Sequence, residues 1–237
     1  MLVRRELMRE INADDRLIGI KGSRGVGKTT FLLQYAREHF GSRDRSCLYV
    51  NLNNLYFTDH TLEDFATRFY EQGGRTLLID QIFKYQGWSE ALRRCYDMLP
   101  ELHIVFTGST VMRLKEENPV LDGVAASYNL RGFSFREYLN MMSGLSFRSY
   151  TLEEILSDHG LIARGITGRV NPLEYFDAYL HHGYYPFFLE KSNFSENLIK
   201  TINLMLEIDI LLIKQIELSY LPKLRRLLYL ISTQVPG

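Results

Sequence analysis

The residues with the most chemical content lie near the start of the chain. Gly22-Ser23-Arg24-Gly25-Val26-Gly27-Lys28-Thr29 follows the spacing G-x-x-x-x-G-K-[ST]. Glycines at those positions let backbone N–H groups curl around a phosphate, and a helix starting at the lysine turns its positive dipole end to the same anion. Lys28 adds a mobile positive charge for the outer phosphates of a nucleotide. Thr29 adds a hydroxyl ligand for Mg²⁺, a hard cation that keeps several of its waters. Thr30 completes the candidate nucleotide contacts at this end.

Such a loop calls for a second element, a buried strand ending in an acid that holds the magnesium. Thr76-Leu77-Leu78-Ile79-Asp80 fits, with Asp80 at the carboxyl end of its strand, where ligands sit in open α/β sheets. Gln81 follows where phosphate-loop hydrolases that use a base commonly carry glutamate. A glutamine can hold a water by hydrogen bonds but cannot accept its proton. Losing a general base costs about 10²–10⁴ in rate, so the chain is expected to bind nucleotide and hydrolyse it slowly. Two other readings stay open: a base located elsewhere, and a glutamine introduced to hold ATP. Thr107-Gly108-Ser109-Thr110 closes a further strand, and Thr107 or Ser109 is expected to reach the γ-phosphate or the attacking water. Ser109 or Thr110 could instead cap a following helix.

These groups need a scaffold that brings strand ends together. Leu17–Ile20, Cys47–Asn51, Thr76–Asp80, Ile104–Thr107 and Ala126–Leu130 read as strands. Helices are expected at Lys28–Glu38 and Leu62–Gln72, with another capped by Ser89. Strands apolar on both faces, alternating with helices, imply a parallel sheet covered on both sides. Beyond about Arg136 the spacing turns helical: Leu152–Leu156, Pro172–His182, Ser195–Glu217 and Leu224–Ile231 read as helices. Phe147–Leu152 and Arg164–Arg169 read as connections.

With 28 basic and 28 acidic residues among 237, the net charge is zero, which implies no general attraction to nucleic acid or an anionic membrane. No run approaches the ~18 apolar residues needed to span a bilayer, and no signal peptide is evident. A soluble, cytoplasmic protein is expected. The two cysteines, Cys47 and Cys95, cannot form a disulfide framework or a zinc site alone and read as apolar packing. His181-His182 lacks acidic or Cys partners at ligand spacing and reads as surface or lid packing. Lys223, Arg225 and Arg226 form a basic cluster that reads as a solvated helix face, with a phosphate-backbone contact as the alternative.

A further stretch, Gly132-Phe133-Ser134-Phe135-Arg136-Glu137-Tyr138-Leu139, carries a resemblance in combination with the phosphate loop, Leu77-Leu78-Ile79-Asp80-Gln81, Trp88 and Ile104-Val105-Phe106-Thr107-Gly108-Ser109. The chain resembles bacterial and archaeal AAA-type ATPases with Ser-Phe-Arg-Glu-Tyr-Leu after the sheet, relatives of AAA+ and STAND-like ATPases. The resemblance implies a P-loop NTPase fold, a three-layer αβα parallel sheet of strand order 5-1-4-3-2 with a C-terminal helical lid. It also implies a segment beside the adenine at Arg5-Glu6-Leu7. Gly183-Tyr184-Tyr185-Pro186 is similar to the family's Gly-Gly-x-Pro lid signature, which implies Tyr185 and Pro186 near the base, with Tyr184 in place of the second glycine. Leu121–Ala126 lacks the expected arginine, for which Arg113 and Arg131 are substitutes.

The reading is an ATP- and Mg²⁺-binding ATPase core over residues 1–139, a helical lid over 140–193, and over 194–237 the start of a further, winged-helix-like unit. ATP or ADP is the expected ligand. A homo-oligomer and a nucleic-acid or protein partner are compatible with the resemblance, and no membrane is expected. The alternative is a nucleotide-binding scaffold whose ATP is structural.

Overall fold

The computed structural model describes residues 3–109, 118–190, 193–210 and 216–234. Five strands, β1 Leu17–Gly22, β2 Cys47–Asn51, β3 Thr76–Asp80, β4 His103–Ser109 and β5 Ala125–Asn129, form one sheet in the order β2-β3-β4-β1-β5. Every pairing is parallel, and the order is the expected 5-1-4-3-2. The helices, in chain order, are α1 Leu7–Glu10, α2 Lys28–His39, α3 Tyr56–Asp59, α4 Leu62–Glu71, α5 Trp88–Met98, α6 Phe135–Ser143, α7 Leu152–Thr167, α8 Leu173–Ala178, α9 Phe194–Leu204 and α10 Leu221–Gln234.

Strand periodicity divides the core into two layers. Leu17, Leu77, Ile79, Ile104 and Phe106 face one side and pack on Leu62 and Ala66 of α4 and Leu92 and Cys95 of α5. Ile18, Ile20, Leu78 and Val105 face the other and pack on Phe31 and Leu32 of α2, with Leu7 and Met8 of α1. Both faces are therefore buried, which explains why the strands lack polar alternation. Cys95 belongs to this core, and burial pushes its thiol up to about 12; Cys47, half-buried, rises to about 11. Neither is a ready nucleophile.

Two local expectations need correction. Ser89 lies inside α5, whose cap is Gly87 at φ 66°, and its hydroxyl bonds Glu90 Oε2 instead. The helix begun at Leu152 continues to Thr167, so Arg164–Thr167 is helical and not a connection; a kink at Asp158 absorbs the break. Ser109 is the last residue of β4, and the segment it could cap lies outside the described residues. Thr110 and Arg113 lie outside the described residues.

The Ser134–Leu139 stretch connects the N-terminal segment to the helices after the sheet. Ser134 caps α6 in a capping box with Glu137. Glu137 Oε1 also accepts from Arg5 Nε at 3.1 Å and from the Glu6 amide at 3.0 Å. Arg136 reaches back to Glu6 at 3.0 Å, and the Tyr138 ring packs against Tyr179 and Phe188 of the following helical region. The α8 helix continues as a wide turn over Tyr179–Gly183, leading to Tyr185 and Pro186. His182 sits in that aromatic layer, between Tyr138, Phe188 and Phe194. Among the described residues no three potential ligands group as a metal site, and no helix is long and apolar enough to cross a membrane.

Candidate functional site

The carboxyl ends of β1, β3 and β4 open onto a cavity of about 470 Å³. Its floor is the Gly22–Thr29 loop. Gly25 and Gly27 have φ of 84° and 93°, backbone that a side chain resists. A Cβ on Gly25 would lie 2.9 Å from Phe187 Cε1, so this glycine also admits that ring. Gly27 hands over directly to α2, whose N-terminus points its free amides into the cavity.

Lys28 Nζ donates to the carbonyls of Gly22 at 2.8 Å and Ser23 at 2.9 Å, folded back on its own loop. Burial pushes its ammonium down to about 8, against the carboxylates of Asp209 and Asp80 and in concert with the Arg24 cation. Such a group is poised to gain from an added anion.

Thr29 Oγ1 donates to Asp80 Oδ2 at 2.7 Å. The helix start and the strand end thus bring a hydroxyl and a carboxylate together, oxygen donors of the kind Mg²⁺ takes alongside water. Tyr49 Oη donates to the same oxygen at 3.0 Å. The other oxygen, Oδ1, accepts from Thr107 Oγ1 and from the Gln81 amide at 3.1 Å. The Gln81 amide also donates to Thr107 Oγ1 at 3.0 Å. Gln81 is the one non-glycine among the described residues with positive φ, 58°, and it lines the cavity. Strain of this kind is kept where the surroundings enforce it, here by the two bonds to its amide.

The sequence offered Thr107 or Ser109 as the polar sensor, and the structure separates them. Thr107 is wholly buried, and its hydroxyl is spent on Asp80 and Gln81. Ser109 lines the cavity, and its buried Oγ has no hydrogen-bond partner among the described residues. A buried unpartnered hydroxyl facing a cavity points to a ligand that supplies the partner.

The cavity wall further includes Arg5, Arg24, Thr30 and Pro186. Gly22, Ser23, Val26 and Tyr185 do not line it. Tyr185 stacks on Phe187 at 5.0 Å and 15°, and Phe187 in turn lines the cavity. The guanidinium of Arg5 is heavily engaged: it donates to Glu137, to the Val26 carbonyl at 3.0 Å and to the carbonyls of Arg131 and Gly132. It joins the loop, the end of β5 and α6 while edging the cavity. Sequence reasoning missed Asp209 and Tyr49, which no local motif marks, whereas Phe187 directly follows the Gly183–Pro186 signature.

The family model described as an AAA domain matches residues 14–139. No curated protein matches the chain. Among solved structures, similarity is found to the S. cerevisiae Hsp104-ADP complex, 15% identical with a TM-score of 0.44 over 61% of this chain and 24% of that one. C. elegans PCH-2 is 18% identical, TM-score 0.39, over 58% of this chain and 42% of that one. AMPPCP-bound DnaA from Aquifex aeolicus is 17% identical, TM-score 0.40, over 91% and 78%. The chain thus spans less than half the length of the first two. With the family match covering more than half of its residues, including the loop, the strand-end aspartate and all five strands, the chain belongs to the AAA-domain family of nucleotide-binding ATPase modules.

Proposed function

We propose that the chain binds ATP with Mg²⁺ in this cavity and hydrolyses it slowly. The observation that carries the reading is convergence: a glycine-built loop at a helix start, a Thr29–Asp80 oxygen pair and the unpartnered Ser109 hydroxyl face one cavity. The loop amides and Lys28 would hold the phosphates, with Lys28 exchanging its two loop carbonyls for phosphate oxygens. Thr29 and Asp80 would hold the metal, which neutralises charge on the phosphates. Thr107 positions Asp80 and Gln81, and Ser109 contacts the transferred group. Arg5, Thr30, Tyr185 and Pro186 are assigned to the nucleoside side, with Pro186 and Phe187 offering apolar surface to a flat base.

Gln81 supports the slow turnover. Its side chain can orient water, but no proton can pass to it. The second reading, a scaffold whose ATP is structural, is favoured by the same residue. Residues 1–139 would then be the nucleotide-binding core, 140–193 the lid, and 194–237 the start of a further helical unit. A cytoplasmic setting, a homo-oligomer and a protein or nucleic-acid partner complete the proposal.

Turnover of ATP by the native chain and by Gln81→Glu, measured side by side with Mg²⁺, tests it. The glutamate form is expected to hydrolyse about 10²-fold faster or more. Equal and negligible turnover by both, with binding intact, selects the scaffold reading.

A further inference from the structure

The phosphate end of the cavity carries a carboxylate from far along the chain. Asp209 lies in a wide helical turn, Met205–Ile210, that continues α9. Its Oδ1 accepts from Arg24 Nη2 at 2.8 Å, and its side chain is only 5% exposed. Arg24 sits within the phosphate loop, between Ser23 and Gly25. Asp209 lines the same cavity as Lys28, Thr29 and Ser109, and its negative charge acts on Lys28. A buried carboxylate is tolerated when a cation pairs with it, and the cation used here belongs to the loop that would hold phosphate. An anion entering the cavity therefore meets a fixed negative charge and a competitor for Arg24.

We infer that Asp209 is a displaceable stand-in for nucleotide phosphate: it pairs with Arg24 when no nucleotide is bound, and a nucleoside triphosphate breaks that pair and frees residues 205–210 from the loop. The inference rests on the nucleotide-binding reading and adds the means by which the site reports its occupancy. The required differential interaction is electrostatic, because the two anions repel and share one guanidinium. A triphosphate, with one more phosphoryl group than a diphosphate, displaces Asp209 more strongly. The consequence has a route outward. Glu207, in the same turn, accepts from Arg225 Nη2 of α10 at 2.7 Å, so movement of the turn is felt at α10.

The test uses the full chain, fluorescent ATP and ADP analogues with Mg²⁺, and Asp209→Asn, which keeps size and removes charge. The variant is expected to bind the triphosphate about tenfold tighter than the native chain, with a smaller gain for the diphosphate. In a second measurement on the native chain alone, a non-hydrolysable ATP analogue is expected to speed proteolytic cleavage within residues 193–234. This arm decides the matter should Asp209→Asn fail to fold. Native binding with equal or weaker binding by the variant overturns the inference and leaves the nucleotide reading intact. Unchanged affinity with slowed turnover also overturns it, by assigning Asp209 to the attacking water. Unaltered cleavage of the nucleotide-bound native chain overturns it as well. Failure of both chains to bind removes the nucleotide reading and this inference together.

Discussion

Glu137 receives the guanidinium of Arg5 at 3.1 Å across 132 residues of sequence, with both side chains about nine-tenths buried. The pair ties the N-terminal segment to the first turn of α6, and Arg5 extends the tie to the loop through the Val26 carbonyl. Removing one partner of a buried pair leaves the other uncompensated, at a cost of about 3–5 kcal/mol. Arg5→Ala is therefore expected to lower the denaturant midpoint by that equivalent, and Arg5→Lys to recover only part of it, since lysine lacks the planar fork. Equilibrium unfolding followed by tryptophan fluorescence checks both.

The same pair sets an acid dependence. Burial alone would raise the Glu137 carboxyl, but the charge of Arg5 and the amides of Ser134 and Glu6 outweigh it and hold the group below the ordinary 4.5. A carboxyl depressed in the folded state contributes stability above its unfolded value and loses it as pH falls through the folded one. The native chain is thus expected to lose stability below about pH 4.5, and Glu137→Gln to start lower but show a shallower loss in the same window. Melting temperatures across pH 3–6 would show it.

Lys28 has the same sense in a more basic window. Its folded value of about 8 lies under the ordinary 10.5, so between those limits the unfolded chain binds more protons and the ligand-free protein gains stability as pH rises. Nucleotide affinity runs the other way, because phosphate prefers the ammonium. Affinity for ATP is expected to be level below about pH 7.5 and to fall by up to about tenfold per unit above 8. Titrations at constant ionic strength resolve the two trends.

At Gly25 two constraints coincide, φ of 84° and a Phe187 carbon 2.9 Å from any added Cβ. Gly25→Ala is expected to cost about 1–2 kcal/mol for the backbone alone and to push Phe187 off the loop, weakening nucleotide binding. Calorimetric melting and binding isotherms measure the two effects separately.

On the proposed reading, the Thr29–Asp80 pair makes ATP binding depend on magnesium. Replacing Mg²⁺ by a chelator is expected to weaken ATP binding by about tenfold or more, since outer phosphate charge is then uncompensated. In Asp80→Asn that difference should largely vanish. A chelator effect undiminished in the variant would place the metal elsewhere.

Part of this cavity is legible in the local sequence. The loop, Asp80 and the apolar strands declare themselves locally, because glycine permissiveness, a strand-end acid and continuous apolar runs are features of neighbouring residues. Strand order came from family resemblance and not from periodicity. The α7 helix runs on past Leu156 through Gly160 and Gly165, both accommodated in open space. Thr107 and Ser109 share a strand and a side-chain hydroxyl, and only tertiary hydrogen bonding tells a spent hydroxyl from an unpartnered one. Asp209 was illegible for the same reason. Its partner Arg24 is 185 residues away, and nothing in the local sequence links them.

Calorimetric titration of ATP with Mg²⁺ into the native chain and Lys28→Ala tests most directly whether the cavity above the Gly22–Thr29 loop is an ATP·Mg²⁺ site. One ATP per chain is expected for the native protein, with affinity reduced about tenfold or more in the variant, the scale of a lost charge-assisted hydrogen bond. No binding by the native chain, or equal binding by both, would contradict it.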